Sequence, residues 1–183
     1  MRKIVYKLYW DYEKEEAWLN RMVETGWALV HYSVGRYVFD ACPSGAYIYR
    51  IELLDQAAKH RKSKDYLTLL EESGIEHIAS YANWIYLRKR ADQGPFELYS
   101  DLDSRIAHYR KIKKMWLALT LAEGTVAFVN IGIGLLILGH NAMTWFSLTL
   151  IAASCVLAVF FVIYLRRIGK KIGILEEERL VRE

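Results

Sequence analysis

The 183-residue sequence has little cysteine, with Cys42 and Cys155 its two thiols. Cys155 lies in a long apolar run and Cys42 does not, so a disulfide between them is not expected. The sequence therefore favours a reduced, cytosolic compartment for its N-terminal part. No secretory signal peptide is expected either, because Lys7, Asp11 and Glu13 interrupt any apolar core behind the basic start.

Catalytic and metal-binding signatures are also missing. The five histidines have no spacing typical of a zinc site, and no Walker A loop, G-x-S-x-G, dinucleotide-binding glycine motif or H-E-x-x-H occurs. The acidic residues Asp11, Glu13, Glu15 and Glu16 could form a carboxylate site, but we interpret them as the solvated start of a helix. The sequence therefore predicts no enzyme, no metal and no cofactor.

A concentrated basic face is missing from the N-terminal part. The whole chain has a net charge of +4, but residues 1–92 contribute only +1 of it. Nucleic-acid-binding domains usually carry their positive charge on one face or helix. Nucleic acid is therefore not an expected partner.

Two long apolar runs are what the sequence does contain. Residues 115–139 and 142–165 each exceed the roughly 20 residues that a helix needs to cross a lipid bilayer, and a helix satisfies its own backbone there. The short connection Gly139-His140-Asn141 joins them. The sequence predicts a two-helix transmembrane hairpin over residues 115–165, with the lipid bilayer as its partner.

Basic residues flank both apolar runs, and the positive-inside rule uses them to orient the chain. It places residues 1–92, a linker and juxtamembrane helix over 93–114, and the tail 166–183 on the cytoplasmic side. We therefore expect a multi-pass protein of the cell membrane with both termini in the cytoplasm. The flanking residues are Arg105, Arg110, Lys111, Lys113, Lys114, Arg166, Arg167, Lys170 and Lys171.

Small and polar residues form a stripe inside the predicted spans. One interpretation is that they pack the hairpin, or a dimer, together. The other is that they contact another membrane protein or form a proton or ion site, because an ionised carboxylate in a span is costly. The residues of this candidate intramembrane interaction are Glu123, Asn130, Gly134, Ser147 and Ser154.

The N-terminal part alternates strand and helix patterns. Residues 2–10 place Ile4, Tyr6, Leu8 and Trp10 on one side of a strand, and Asp11 is typical of a helix N-cap. Further strands are predicted at 27–34, 36–42, 46–54 and 75–90, with a kink at Ala82-Asn83, and a second helix at 64–73. This order predicts an α+β head with a ferredoxin-like split β-α-β fold and extra strands.

Aromatic residues recur along these strands. If the helices cover one face of the sheet, the other face would present tyrosines to a partner, a ligand or a second copy. The alternative is that the rest of the chain covers that face, with the arginines paired to carboxylates or stacked across strands. The candidate head interaction surface is Tyr32, Arg36, Tyr37, Tyr47, Tyr49 and Arg50.

Several motifs together resemble the bacterial domain-of-unknown-function family numbered 2812. They are the run from Asp11 to Asn20, then Gly26-Trp27, Gly35-Arg36-Tyr37, residues 47–52 and residues 94–98. The resemblance implies a membrane protein of Gram-positive bacteria, often encoded beside a PadR-type transcriptional repressor. It implies no active-site residues.

We therefore expect a membrane-tethered cytosolic interaction or sensory module with a regulatory role and a protein partner, for which the resemblance suggests a PadR-type regulator in an envelope stress response. The alternative is an accessory or immunity-type subunit of a membrane transporter complex. A sensor that binds a small molecule is a third hypothesis. Sheet edges and small-residue helix faces both favour self-association, so a homodimer stays open.

Overall fold

The computed structural model of the chain describes residues 1–99, 101–136 and 141–182, and only the backbone of 141–144. The chain divides into two compact units, Met1–Leu98 and Tyr99–Glu183. The first unit, the head, is an α+β structure, and the second unit is a pair of long apolar helices. This confirms the predicted fold class of an α+β head followed by two helices long enough to cross a membrane.

The order of elements in the head is close to the predicted one. The predicted kink at 82–83 is the turn between two strands, and a short 3-10 helix follows at Ala91–Gln93. The elements are β1 (Arg2–Tyr6), α1 (Tyr12–Glu24), β2 (Trp27–Ser33), β3 (Arg36–Ala41), β4 (Tyr47–Leu53), α2 (Arg61–Glu72), β5 (Ile75–Tyr81) and β6 (Trp84–Arg90).

Helix α1 begins and ends where its sequence predicts. The Asp11 side chain caps the helix by accepting a hydrogen bond of 3.1 Å from the backbone N–H of Glu13. At the other end the chain turns at Gly26, whose φ of +83° favours glycine. Both signals are local, so they need no tertiary contact to act.

The strands form two antiparallel three-stranded sheets, ordered β1-β3-β2 and β4-β6-β5. In each sheet the first two strands along the chain are connected by a helix, and the third strand lies between them. This arrangement is the split β-α-β connection. The ferredoxin-like arrangement of one extended sheet is not confirmed, because the added strands form a second sheet with its own helix.

The two sheets are successive copies of one strand–helix–strand–strand plan. Features of the first half recur 48 residues later: Gly26 corresponds to Gly74, both with positive φ. The register shift after Leu29 in β2 corresponds to the shift after His77 in β5. The head is therefore an internal structural repeat.

Two hydrophobic clusters stabilise the head. The larger lies where α1 meets both sheets and includes Leu19, Leu29, Phe39 and Ile51. The smaller cluster packs α2 and Phe96 against the opposite face of the second sheet. The second sheet is thus covered on both faces.

The second unit consists of α3 (Leu102–Leu136) and α4 (Asn141–Arg182). The predicted juxtamembrane helix and the described part of the first span, through Leu136, form one continuous helix, and the predicted tail continues the second span as helix through Arg182. Gly139 and His140 of the predicted connection lie outside the described residues. Both helices, Leu102–Leu136 and Trp145–Arg182, are long and apolar enough to cross a membrane.

Candidate functional site: the α1 junction and the β1 edge

Glu15 of α1 connects the two sheets of the head. Its Oε1 accepts a hydrogen bond of 2.6 Å from the hydroxyl of Tyr37 on β3 and one of 2.7 Å from the hydroxyl of Tyr86 on β6. The residue is only 6% exposed. One carboxylate oxygen therefore satisfies two buried hydroxyls that come from different sheets.

Burial sets the ionisation of this cluster. Desolvation raises the pKa of Glu15, and the hydrogen bonds from Tyr37 and Tyr86 oppose part of that rise. The pKa of Tyr37 and that of Tyr86 are raised as well, by burial and by the neighbouring Glu15. The tyrosines therefore stay protonated and act as donors to Glu15.

Two further residues of α1 cover the outer edge of β4. The amide of Asn20 accepts from the backbone N–H of Tyr49 at 2.8 Å and donates to its carbonyl at 3.1 Å. Glu16 accepts from the N–H of Ile51 at 2.9 Å and pairs with Arg50 at 3.1 Å. These side chains take the place of a neighbouring strand.

The interpretation of the acidic run as a solvated helix start is therefore wrong for Glu15 and Glu16. Asp11 does cap the helix, as predicted. Glu15 is buried, and burial raises the pKa of Glu16 too, against the hydrogen bond from Ile51 and the charge of Arg50. The spacing of local helix signals could not show this, because the partners lie 22 or more residues away in sequence.

The predicted aromatic surface is wrong for Tyr37 and Tyr49, each of which is 1% exposed. Tyr37 contacts Glu15 and Trp18 of α1, and the hydroxyl of Tyr49 donates to the carbonyl of Leu29 on β2, so both tyrosines form part of the core. Tyr32 is half-buried, with its ring centroid 4.8 Å from that of Tyr37 and 4.4 Å from that of Tyr86. Its aromatic face is thus largely used within the head.

The remaining members of that predicted surface are half-buried. The Arg88 guanidinium stacks 4.3 Å from the ring centroid of Tyr47. Arg50 pairs with Glu16, as one sequence alternative expects. Arg36 lies opposite Tyr6 in the β1–β3 register.

The exposed apolar side chains of the head gather instead around β1. Tyr6 is 75% exposed and Leu8 is 70% exposed, with Ile4 and Trp10 also exposed. Val5 is the residue of β1 that packs against the hydrophobic core. The predicted alternation is confirmed for Ile4 and Tyr6, whose side faces outward, but the predicted strand over residues 2–10 is too long, because β1 ends at Tyr6 and Leu8 and Trp10 follow it.

The backbone of β1 is also open on its outer edge. Ala41 donates to the carbonyl of Met1 at 3.2 Å, and Lys7 donates to the carbonyl of Gly35 at 2.8 Å. Bonded pairs alternate in an antiparallel ladder, so Arg2, Ile4 and Tyr6 direct their N–H and C=O groups away from β3. No strand of the described chain pairs with that edge.

The polar residues of the two apolar helices meet one another within this chain. Asn130 Nδ2 donates to Ser154 Oγ at 3.3 Å. A Cβ on Gly134 would lie 3.0 Å from Ile151 Cδ1 and 3.6 Å from Ser147 Oγ. Four of the five candidate intramembrane residues therefore lie between α3 and α4.

Glu123 is the exception among these residues. It is half-buried, and in the part of the chain that the structure describes its carboxylate makes no hydrogen bond or ion pair. Within the same residues, no three His, Cys, Asp or Glu side chains are grouped to hold a metal ion.

Comparisons with known proteins give one result. No curated protein and no solved structure matches the chain. A family model described as "Protein of unknown function (DUF2812)" matches residues 11–121, which run from α1 through the first part of α3. Since this match covers more than half of the sequence, the chain belongs to the DUF2812 family.

Proposed function

We propose that this protein is a membrane-anchored interaction module, in which the α3–α4 pair holds the chain in a membrane and the head binds a protein partner. Low burial supports the anchor: 6% of the most apolar 18-residue stretch of α3 and 17% of that of α4 are buried. A core helix of a soluble protein would be mostly buried. The basic residues beside both stretches favour a cytoplasmic position for the head and both termini.

The β1 edge carries the second part of the proposal. An edge strand with open N–H and C=O groups is a template for an added strand. Tyr6 and Leu8 would bury apolar surface against such a strand. Lys3 and Lys7 are basic, whereas Arg2 pairs with Asp40 at 3.1 Å, so the segment that fits is extended, with apolar side chains and acidic ones near the lysines.

A regulatory purpose for this binding is suggested by the family resemblance of the sequence motifs. The family resemblance associates such proteins with a PadR-type transcriptional regulator, so the proposed partner is a regulator held at the membrane. Deleting the gene should then change transcription, with or without envelope stress. An unchanged transcript profile under both conditions would contradict the regulatory part and leave the binding part standing.

Site-specific photo-crosslinking tests the binding part. A photoreactive amino acid at Tyr6 in the full-length protein, expressed in its native membrane, should give a crosslink to one partner protein. The matched control is Leu69, an exposed apolar residue of α2. Equal crosslinking from both positions, or none from Tyr6, would contradict binding at β1.

The alternative, an accessory or immunity-type subunit of a membrane transporter complex, is favoured by Glu123 alone. Its carboxylate has no hydrogen bond or ion pair in the described chain, whereas Asn130 and Ser154 bond each other. If Glu123 docks on a transporter, Glu123→Gln should reduce co-purification of that transporter. Undiminished co-purification would count against this function.

A further inference from the structure

Some cations of the α3–α4 pair have carboxylate partners and others do not. Two cations are matched by acids of the opposite helix: Arg110 pairs with Glu176 at 2.6 Å, and Arg179 pairs with Asp103 at 2.9 Å. Arg182 likewise pairs with Glu178 on α4. This part of the pair needs no outside counter-ion at these positions.

Next to the apolar stretches the balance is different. Residues 109–116 and 164–171 together contain eight Lys and Arg and no Asp or Glu. Four of these cations are exposed and have no carboxylate partner among the described residues. We call these four the basic collar: Lys113, Lys114, Arg166 and Lys170.

Three members of the basic collar lie next to Gly169, Lys113 by its distance in space and Arg166 and Lys170 by helical spacing. Lys113 reaches from α3 across to α4, where its Nζ lies 3.9 Å from the position of a Cβ on Gly169. Arg166 and Lys170 are four residues apart on α4, which places them on one face beside Gly169. Glycine leaves the backbone bare there, so nothing of residue 169 covers the ammonium group.

Like charges in this arrangement repel. A pair at i and i+4 is destabilising by a few tenths of a kcal/mol, and Lys113 adds a third charge from the other helix. An anion that contacts all three cations removes that repulsion. The site is therefore suited to a phosphate group.

Its position along the helices identifies the source of the phosphate. Lys113 precedes Met115, where the first apolar run begins, and Arg166 follows Leu165, where the second ends. At the same level the Trp116 ring packs 4.4 Å from that of Tyr164, centroid to centroid, and such aromatic rings favour the membrane interface. If the helices cross a membrane, the basic collar lies among lipid headgroups.

We infer that Lys113, Arg166 and Lys170 form a binding site for the phosphate headgroup of an anionic phospholipid. The inference rests on the proposed membrane anchor. Basic residues next to a membrane attract anionic headgroups by electrostatic contact, and three cations beside Gly169 make that attraction local rather than diffuse. The ligand is a lipid of the leaflet that faces the head and tail.

Native mass spectrometry of the full-length protein, released from detergent with added phosphatidylglycerol or phosphatidylcholine, measures this binding. Phosphatidylglycerol should bind better than phosphatidylcholine. The triple variant K113Q/R166Q/K170Q should bind phosphatidylglycerol roughly fivefold more weakly for each cation removed, or on the order of a hundredfold in total.

The matched control is R110Q/R179Q/R182Q, which removes the same charge from cations that are already paired. It should bind phosphatidylglycerol nearly as wild type does. Equal losses in both triple variants would overturn the inference, and so would equal affinity of the wild type for the two lipids. Displacement of phosphatidylglycerol by inorganic phosphate would reassign the site to a soluble anion and overturn the lipid proposal.

Carbonate extraction separates this inference from the proposed function. The wild type and both triple variants should remain in the membrane fraction. Release of the wild type would contradict the membrane anchor and the lipid site together. Retention of all three proteins, with unchanged lipid binding by K113Q/R166Q/K170Q, would contradict the lipid site alone.

Discussion

Strands β1 and β4 hold the same place in the two copies of the head's repeat, yet their outer edges differ. Each is the first strand of its copy and an edge strand of its sheet. The edge of β4 is covered by Asn20 and Glu16 of α1. The edge of β1 has no such cover among the described residues of the head.

This difference follows from where α1 lies. The helix comes from the first copy but also packs against β4 of the second, with Glu15 bonded to Tyr37 and Tyr86. The other two edge strands, β2 and β5, lie against each other. Joining the copies in this way protects three edges and leaves β1 as the edge at which the proposed partner binds.

The largest expected loss of stability comes from removing the Glu15 contacts that join the two copies of the repeat. Glu15→Ala leaves two buried tyrosine hydroxyls without their acceptor, at about 1–3 kcal/mol each, while removing a buried carboxylate offsets part of this loss. The free energy of unfolding of the head should fall by roughly 2–4 kcal/mol. Near-UV circular dichroism of the full-length protein during denaturation measures it.

The control for that experiment is Lys14→Ala, which changes an exposed residue on the same helix and should stay within about 0.5 kcal/mol of wild type. Equal stability of the Glu15→Ala and Lys14→Ala variants would show that Glu15 does not join the sheets.

The next largest loss of stability is expected when the edge of β4 is uncovered, so that it resembles the edge of β1. Asn20→Ala removes the side chain that bonds both the N–H and the carbonyl of Tyr49. We expect a loss of about 2 kcal/mol and faster hydrogen exchange in β4. Mass spectrometry of deuterium uptake would detect this, and unchanged protection of Tyr49 would refute the edge-covering role.

A smaller effect is expected at the turn that ends beside β1. Gly35 has a φ of +68°, and a Cβ there would lie 2.8 Å from Leu8 Cδ2. Gly35→Ala should cost about 1–2 kcal/mol from the backbone conformation and should also displace Leu8. Thermal unfolding measures the first effect, and crosslinking from Leu8 measures the second.

Gly45 provides a matched control for this substitution. Its φ is +70°, but nothing lies within 4 Å of its Cβ position. Gly45→Ala should therefore show the backbone cost without any change at Leu8. If both variants behaved alike in the crosslinking assay, the Leu8 contact would have no part in shaping the β1 edge.

The smallest expected effect is on the pH dependence of the head's stability. Burial raises the pKa of Glu15 above its ordinary value of 4.5, so the folded head holds a proton where the unfolded chain has lost it. Stability should therefore fall as the pH rises from about 4.5 through the raised pKa. Glu15→Gln should flatten this slope, measured by denaturant unfolding across that range.

Some slope should remain in that variant, because burial raises the pKa of Glu16 as well. A slope identical to that of wild type would mean that Glu15 does not titrate in a buried position.

Local sequence signals predicted the elements of the head well. The Asp11 cap, the turn at Gly26 and the alternation in β1 depend on near neighbours, and each is present in the structure. The long apolar helices follow from composition in the same way. Predicting these features requires no information about tertiary packing.

The candidate site was harder to predict, since its contacts join distant parts of the chain. Alternation shows that Ile4 and Tyr6 share a side of β1, but only the structure shows that Val5 on the other side faces the core. The burial of Glu15 depends on Tyr86, 71 residues away. The 48-residue repeat was the sequence signal that could have suggested two sheets.

The comparison of Ile4→Pro with Ile4→Thr is the decisive test of strand addition at β1. Proline removes an N–H that points away from β3 and is tolerated at such edge positions, whereas threonine keeps the N–H and shortens the side chain. Crosslinking from Tyr6 in native membranes should lose its partner in the proline variant and keep it in the threonine variant, with both heads folded by circular dichroism. A partner retained by the Ile4→Pro protein would contradict strand addition at β1.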